Sequence, residues 1–176
     1  IHMLNNKETS IDDLLKIIKG PDFPLGGIIT GIDGIEQAYR TGQGKVYVRG
    51  KTSFETSKSG RDSIIITEIP YMVNKARMLE RIAELVKEKK LEGIGEIRDE
   101  SDKDGMRVVV ELKKGEVPEV ILNNLIKNSQ LEQVFGINNV VLVDGRPKLC
   151  NLHELLEIFL DHRKEVITNR SLYELR

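Results

Sequence analysis

The fold is decided by residues 68–113, EIPYMVNKARMLERIAELVKEKKLEGIGEIRDESDKDGMRVVVELK. Asn74 can cap the start of a helix through its side-chain oxygen, and Gly93 is suited to end that helix. Between them, apolar residues recur at the spacing of one helix face. This face is predicted to hold Leu79, Ile82, Ala83 and Val86.

A strand is predicted over residues 106–113, because apolar and polar residues alternate there and Val108, Val110 and Leu112 share one face. Asp104-Gly105, just before it, is a strong hairpin signal. A helix followed by a hairpin packs as one layer on a sheet. The sequence therefore predicts an α+β fold, a two-layer sandwich in which a mainly antiparallel sheet is packed by helices.

Composition limits the possible functions. The chain has 176 residues with a formal net charge of −1, which argues against binding nucleic acid by bulk charge. No apolar run approaches the ~20 residues that a membrane helix needs, and no secretory signal is apparent. The single cysteine, Cys150, excludes an internal disulfide and is interpreted as a small buried residue. A cytoplasmic protein without membrane contact is expected.

The residues before 68–113 predict a short helix and several strands. Ser10 and Asp13 resemble a capping box, and residues 28–30 and 35–39 predict an extended segment and one or two helical turns. Strands at 45–51 and 61–67, with a turn around 57–60 before the second, are predicted to form a hairpin. Both strands are expected to join those of 68–113 in one sheet.

The residues after 113 predict two more helices. Pro118 suits the first turn of a helix that runs to about Asn128 and whose core face holds Val117, Ile121 and Leu125. Short extended segments follow over 131–149. From Leu152, apolar residues keep helical spacing to the last residue, about 36 Å of helix. Because no cap closes this helix, the chain is expected to be part of a longer protein.

The acidic stretch from Glu100 to Glu111 comes close to the spacing of a calcium-binding EF-hand loop. Glu100 stands where Asp is expected, Lys103 weakens cation binding, and the following residues predict a strand where an EF-hand has a helix. An acidic hairpin turn is the preferred interpretation. A calcium-binding enzyme domain is the alternative, which a calorimetric titration would test.

Other catalytic and metal motifs do not fit. GQGK at 42–45 is followed by a strand, and Val46 stands where a phosphate-binding loop needs Ser or Thr. His153 and His162 are nine residues apart on one predicted helix, so they cannot share a metal ion. No Ser/His/Asp or Cys/His set is apparent. No catalytic residue and no metal ligand is therefore predicted.

Four basic residues form the candidate DNA-binding surface: Arg40, Lys45, Arg49 and Lys51. No acidic residue occurs between Gln37 and Phe54. Cationic side chains at alternate strand positions stand ~6.5 Å apart on one face, a spacing suited to a phosphate backbone. A solvated sheet face without function is the alternative, which composition alone slightly favours.

Short motifs in order along residues 10–176 resemble the A-subunit family of bacterial DNA gyrases, which are type IIA DNA topoisomerases. They include GPDFP at 20–24, AYRTG at 38–42, EIPY at 68–71, RDESD at 98–102 and FGIN at 135–138. The related topoisomerase IV subunits match less well, because EIPY and FGIN are typical of gyrase.

The resemblance implies a domain assignment. Residues 4–150 are taken as the α+β tower domain and residues 151–176 as the start of a coiled-coil arm. Residues 1–3, Ile-His-Met, are interpreted from the sequence itself as a remnant of an expression tag. In the family, the tower domain supports and bends the bound duplex and links the winged-helix domain to the coiled coil. This region is thus expected to contact the backbone of duplex DNA.

The resemblance also implies what this chain lacks. The family's DNA-cleaving tyrosine lies in the winged-helix domain, and Mg²⁺ and ATP are bound through the B subunit. The fragment alone is therefore expected to be inactive and to hold no cofactor. In the complete ATP-dependent supercoiling enzyme, its expected partners are a second gyrase A chain and the gyrase B subunit, in an A2B2 assembly.

Two positions depart from the family pattern. Gln43 stands where arginine is usual, and Asp33 where a basic residue is frequent. Both departures lower the local positive charge, so weak DNA contact by the isolated chain is expected. The alternative function is a protein-interaction module that pairs through the helix beginning at Leu152.

Overall fold

The computed structural model describes residues 1–6, 8–57 and 60–176. Within them, helices occupy His2–Asn5 (α1), Ile11–Ile17 (α2), Asp33–Thr41 (α3), Lys75–Lys87 (α4), Pro118–Asn128 (α5) and Leu152–Glu174 (α6). Strands occupy Ile28–Thr30 (β1), Gln43–Arg49 (β2), Thr52–Thr56 (β3), Asp62–Ile66 (β4), Ile94–Asp99 (β5), Val108–Leu112 (β6), Glu132–Asn138 (β7), Val140–Val143 (β8) and Arg146–Leu149 (β9). The predicted α+β class is confirmed.

The strands form three sheets within the described residues, where the sequence predicted one. Their orders are β1-β2-β7, β3-β4-β6-β5 and β8-β9. The predicted hairpin between 45–51 and 61–67 is wrong: β4 pairs with β3, which the prediction missed, and β2 pairs with β1. The turn predicted around 57–60 includes residues 58 and 59, which lie outside the described residues.

The chain divides into two compact units. Unit 1 comprises residues 1–21, 31–46 and 135–176, and unit 2 comprises residues 22–30 and 47–134. Strands β2 and β7 each contribute residues to both units.

Unit 2 is a two-layer sandwich. Helices α4 and α5 cover one face of the antiparallel sheet β3-β4-β6-β5, and the core between them includes Ile64, Met78, Val110 and Leu125. Val108, Val110 and Leu112 are buried as predicted. The hairpin between β5 and β6 turns at Asp102–Gly105, so a strand and not a helix follows the acidic stretch.

Helix α4 begins as predicted but is rotated and shorter. The Asn74 side chain accepts a hydrogen bond from the Arg77 N–H at 3.0 Å. Ile82 is buried as predicted, together with Met78 and Leu85, and the predicted Leu79 and Val86 are partly buried against the core. Ala83, predicted to be buried, is exposed. The helix ends at Lys87, six residues before the predicted Gly93. The rotation follows from Met78, which the sequence pattern left out and which is completely buried in the core.

Helix α5 has the predicted bounds, Pro118–Asn128. Ile121 and Leu125 are buried as predicted, but Val117 is exposed because it is the N-cap residue and lies before the first turn.

Unit 1 packs α3 against α2 and α6. Its buried side chains include Leu14, Ile35, Ala38, Tyr39 and Cys150. The capping box of α2 forms as predicted, with the Ser10 hydroxyl accepting from the Asp13 N–H.

Helix α6 is long and mostly exposed. Asn151 and Glu154 form a second capping box at its start. Leu152 is its buried residue, and every residue from Asp161 to Glu174 is exposed. No helix in the described part of the chain has the length and apolar character needed to cross a membrane.

Candidate nucleic-acid interface

Strand β2 shows the predicted alternation in both units. In unit 1, Lys45 is exposed and Val46 is buried. In unit 2, Tyr47 is 50% exposed, Val48 is buried, and Arg49 is partly exposed. Because side chains alternate along a strand, the buried valines require the cationic positions to face solvent.

The four predicted DNA-binding residues do not all lie on one strand. Arg40 lies in the last turn of α3, and Lys51 follows the end of β2 by two residues. Arg40 and Lys45 belong to unit 1, whereas Arg49 and Lys51 belong to unit 2. The candidate DNA-binding surface therefore consists of two pairs of cations, one pair in each unit.

In unit 1, Arg40 is already engaged by a carboxylate. Its Nη2 donates to Oδ1 of Asp12 on α2, and both side chains are well exposed. Lys45 differs, because it has no ion pair among the residues that the structure describes. Lys45 is therefore the one candidate cation that is directly available to a phosphate in this part of the chain.

Two glycines hold the backbone at Lys45 in place. A Cβ on Gly34 would collide with the Lys45 carbonyl oxygen, and one on Gly44 would collide with the Gly34 carbonyl oxygen. The start of α3 thus lies directly against β2. This close packing fixes the backbone of Lys45, while the Lys45 side chain remains exposed.

In unit 2, Arg49 forms an ion pair with Glu132 on β7. Its Nε donates to Oε2 of Glu132 at 2.8 Å, and the two side chains are 38% and 23% exposed. Thr30 approaches the same carboxylate oxygen through its hydroxyl at 3.4 Å. The carboxylate is thus held by strand β1 as well as by the guanidinium.

Lys51 lies near a carboxylate that has a structural role. Its Nζ is 3.5 Å from Oε1 of Glu68, and the Lys51 side chain is 59% exposed. The other oxygen of Glu68 accepts a short hydrogen bond from the Gly27 N–H. This hydrogen bond, together with the charge of Lys51, lowers the pKa of Glu68 below its usual range.

Three of the four candidate cations are therefore neutralised by carboxylates within their own unit: Arg40, Arg49 and Lys51. Ion pairs this exposed contribute ~0–1 kcal/mol, because water and salt screen them. This pairing has no signal in the local sequence, because the three acids lie outside residues 37–54.

The two departures from the family pattern have structural partners. The Gln43 side chain donates to Oδ1 of Asn138 at 3.1 Å, which ties the first residue of β2 to the last residue of β7. Asp33 is the first residue of α3, where a negative charge is favoured by the helix dipole.

A second group of arginines, missed by the sequence analysis, lies on the sheet β3-β4-β6-β5. Glu111 bridges Arg61 and Arg98 at 2.7 and 3.1 Å, and Arg107 binds both oxygens of Glu55 at 2.9 and 2.7 Å. These contacts raise the pKa of Arg98 and Arg107 and lower that of Glu111. Each arginine of the network is thus paired with a carboxylate, and Arg107 is held by two hydrogen bonds to the same carboxylate.

The residues considered for metal binding lie apart in the structure. His153 and His162 are both on α6, and His153 faces Glu157 of the next turn at 3.4 Å. In the acidic turn, the Asp102 carboxylate accepts a hydrogen bond from the Asp104 N–H. No cluster of three potential metal ligands occurs among the described residues.

A groove in unit 1 lies between α6 and the hairpin β8-β9. Its volume is about 840 Å³, and its lining includes Leu142, Val143, Leu155, Phe159 and His162. Leu142 and Phe159 are 73% and 56% exposed.

The comparison with known families identifies the class of protein. The family model for the A subunit of DNA gyrase and topoisomerase IV matches residues 1–176. The chain belongs to this family of DNA topoisomerase subunits, which confirms the resemblance found in the sequence motifs.

Individual relatives are DNA gyrase A subunits. The chain is 58% identical over 176 residues to that of Pseudomonas aeruginosa, 55% over 174 residues to that of Escherichia coli, and 54% over 178 residues to that of Neisseria gonorrhoeae. The alignments cover 99%, 98% and 100% of this chain but 19%, 20% and 19% of the relatives. The chain thus spans about a fifth of the length of these relatives.

Proposed function

We propose that this chain is the part of a DNA gyrase A subunit that supports and bends duplex DNA through its phosphate backbone. Arg40, Lys45, Arg49 and Lys51 are the contacting residues in this proposal. The observation that carries it is β2, on which buried valines hold Lys45 and Arg49 toward solvent. Phosphate contacts of this kind position DNA without selecting a sequence.

The proposal assigns no bond-breaking step to this chain. Residues 4–150 serve as a tower-like support and residues 151–176 begin the coiled-coil arm. Strand cleavage, Mg²⁺ and ATP hydrolysis belong to other parts of an A2B2 assembly, so the chain alone is inactive. Ion pairing of three of the four cations makes its own affinity for DNA low.

The salt dependence of binding tests the proposal. The affinity of the chain for a labelled duplex is measured by fluorescence anisotropy at several salt concentrations. Because each neutralised phosphate contributes a slope of about −0.9, the R49E/K51E double variant is expected to bind at least tenfold more weakly, with a slope shallower by about 1.8.

The matched control is K103E/K114E, which changes the charge of unit 2 equally but at exposed lysines flanking β6. Equal losses in the two double variants would show that only net charge matters. In the complete enzyme, R49E/K51E is expected to reduce DNA binding and supercoiling, and unchanged supercoiling would contradict the proposed function.

A protein-interaction module is the second candidate, favoured by the exposed apolar residues of α6. Phe159, Ile167 and Tyr173 are 56%, 54% and 80% exposed. If α6 mediates pairing, sedimentation should show a dimer that F159D and I167D dissociate, together with no binding of DNA at low salt. A monomer that binds DNA would exclude this candidate.

A further inference from the structure

We propose that Asp12, Glu68 and Glu132 act as internal competitors of the DNA backbone, each of which holds one candidate cation until a phosphate displaces it. The inference rests on the proposed function and adds a specific role for three acidic residues. Three observations support it: the geometry of the ion pairs, the other contacts of the three carboxylates, and the absence of an ion pair at Lys45 among the described residues.

The geometry of these pairs is that of exchangeable contacts. Glu132 receives a single donor of Arg49, the Nε at 2.8 Å, and Lys51 is 3.5 Å from Glu68. By contrast, Arg107 binds Glu55 through two parallel hydrogen bonds on the neighbouring sheet. Because two-point contacts are stronger and more directional, the single-point pairs are the ones that a phosphate can replace.

The carboxylates do not lose all their partners when the cation leaves. Glu68 still accepts from the Gly27 N–H, and Glu132 still lies within 3.4 Å of the Thr30 hydroxyl. Asp12 is 64% exposed, so solvent can reach its carboxylate when Arg40 leaves. Displacement therefore leaves no buried charge without a partner, which is the condition that would make it costly.

Lys45 marks the exception, since it has no carboxylate partner among the described residues. A duplex can engage Lys45 without displacing an acid, whereas each further contact needs an exchange. The three acids would thus keep the chain's affinity for DNA low.

The test is a double-mutant cycle at Arg49 and Glu132, with duplex affinity measured by anisotropy. Glu132→Gln keeps the shape and an oxygen for Thr30, and is expected to tighten binding about two- to fivefold, the range of an exposed ion pair. In an R49Q background the same change is expected to add nothing beyond the control. Glu92→Gln is this control, since it removes the same charge in unit 2 from an exposed residue.

The outcomes separate the inference from the proposed function. If R49Q weakens binding but E132Q acts no more strongly than E92Q, the inference is wrong and the proposed contact remains. Weaker binding of duplex by E132Q would show that Glu132 orients Arg49 for DNA. This result would also overturn the inference that Glu132 competes with DNA. If R49Q does not change the affinity for duplex, both the inference and the proposed DNA contact are wrong at Arg49.

The Asp12–Arg40 ion pair provides a second test that remains valid if E132Q fails to fold. Asp12→Asn alters an ion pair on the surface of α2, where both side chains are exposed, and its circular dichroism should match that of the unchanged chain. Tighter binding by D12N that disappears in an R40Q background would support the inference. An equal effect in both backgrounds would contradict it.

Discussion

Gly34 allows the start of α3 to pack against β2 because it has no side chain. A Cβ there would overlap the Lys45 carbonyl oxygen. Gly34→Ala is therefore expected to lower the free energy of unfolding by about 1–3 kcal/mol, the usual cost of overpacking. Urea denaturation would measure it, with Gly136→Ala as the control, because a Cβ on Gly136 meets nothing within 4 Å. Equal stabilities of the two variants would refute the close contact.

Asp99 makes the stability of the chain depend on acid. Lys75 at 2.7 Å, with help from Ser101, lowers the pKa of Asp99 to about 2 from a usual value near 3.8. A lowered pKa in the folded state means that the stabilisation is present above about pH 4 and is lost as the pH falls toward about 2. Because the side chain is 39% exposed, screening limits the contribution to about 1 kcal/mol.

Asp99→Asn is thus expected to reduce stability at pH 7 and to flatten its decline between about pH 4 and 2. Thermal melts over this pH range would measure both effects. Lys75→Gln should also flatten the decline, because it removes the main partner of Asp99. A decline that both substitutions leave unchanged would exclude the Lys75–Asp99 pair as the cause.

At the scale of one element, α4 offers a test of which face packs against the sheet. Ile82 is completely buried, whereas Ala83 is exposed. Ile82→Ala is expected to cost about 2–4 kcal/mol because it leaves a cavity, while Ala83→Glu should change stability by less than about 0.5 kcal/mol. Denaturant melts would compare them. A large loss of stability in A83E would instead support the buried face predicted from the sequence, which includes Ala83.

Sequence reasoning succeeded where the signal is local. The cap at Asn74, the turn at Asp104-Gly105 and the alternation in β6 each depend on residues within one element. The partners of β2 are β1 and β7, which lie elsewhere in the chain, so β2 was assigned to the wrong sheet. The local hairpin of β3 and β4 was missed for another reason, because residues 52–56 are mostly exposed and lack an alternation of apolar residues. Periodicity alone also placed the face of α4 one residue away from its true position.

The candidate site shows the same limit. Alternation correctly predicted that Lys45 and Arg49 face solvent on β2. The acids that pair with the cations are 28, 83 and 17 residues away in sequence from Arg40, Arg49 and Lys51. No local pattern relates such positions, and only folding brings each acid to its cation.

Over the whole molecule, burial is unevenly distributed. Ile64–Ile66 and Val108–Val110 lie at the centre of the larger sheet and are almost fully buried, whereas the second half of α6 is exposed throughout. Hydrogen exchange followed by mass spectrometry should therefore be slowest in β4 and β6 and fastest after about residue 160. Comparable protection in both regions would mean that α6 is covered in solution, as the protein-interaction candidate requires.

Cys150 is the only cysteine of the chain and is fully buried, with its thiol 3.7 Å from the Lys148 carbonyl oxygen. Its own carbonyl lies against Gly42, between Arg40 and Lys45 in the sequence. An alkylating reagent can reach the sulfur only when unit 1 opens locally, so the labelling rate measures how often this opening occurs. Slower labelling in the presence of duplex would report DNA engagement without any added fluorophore or engineered thiol.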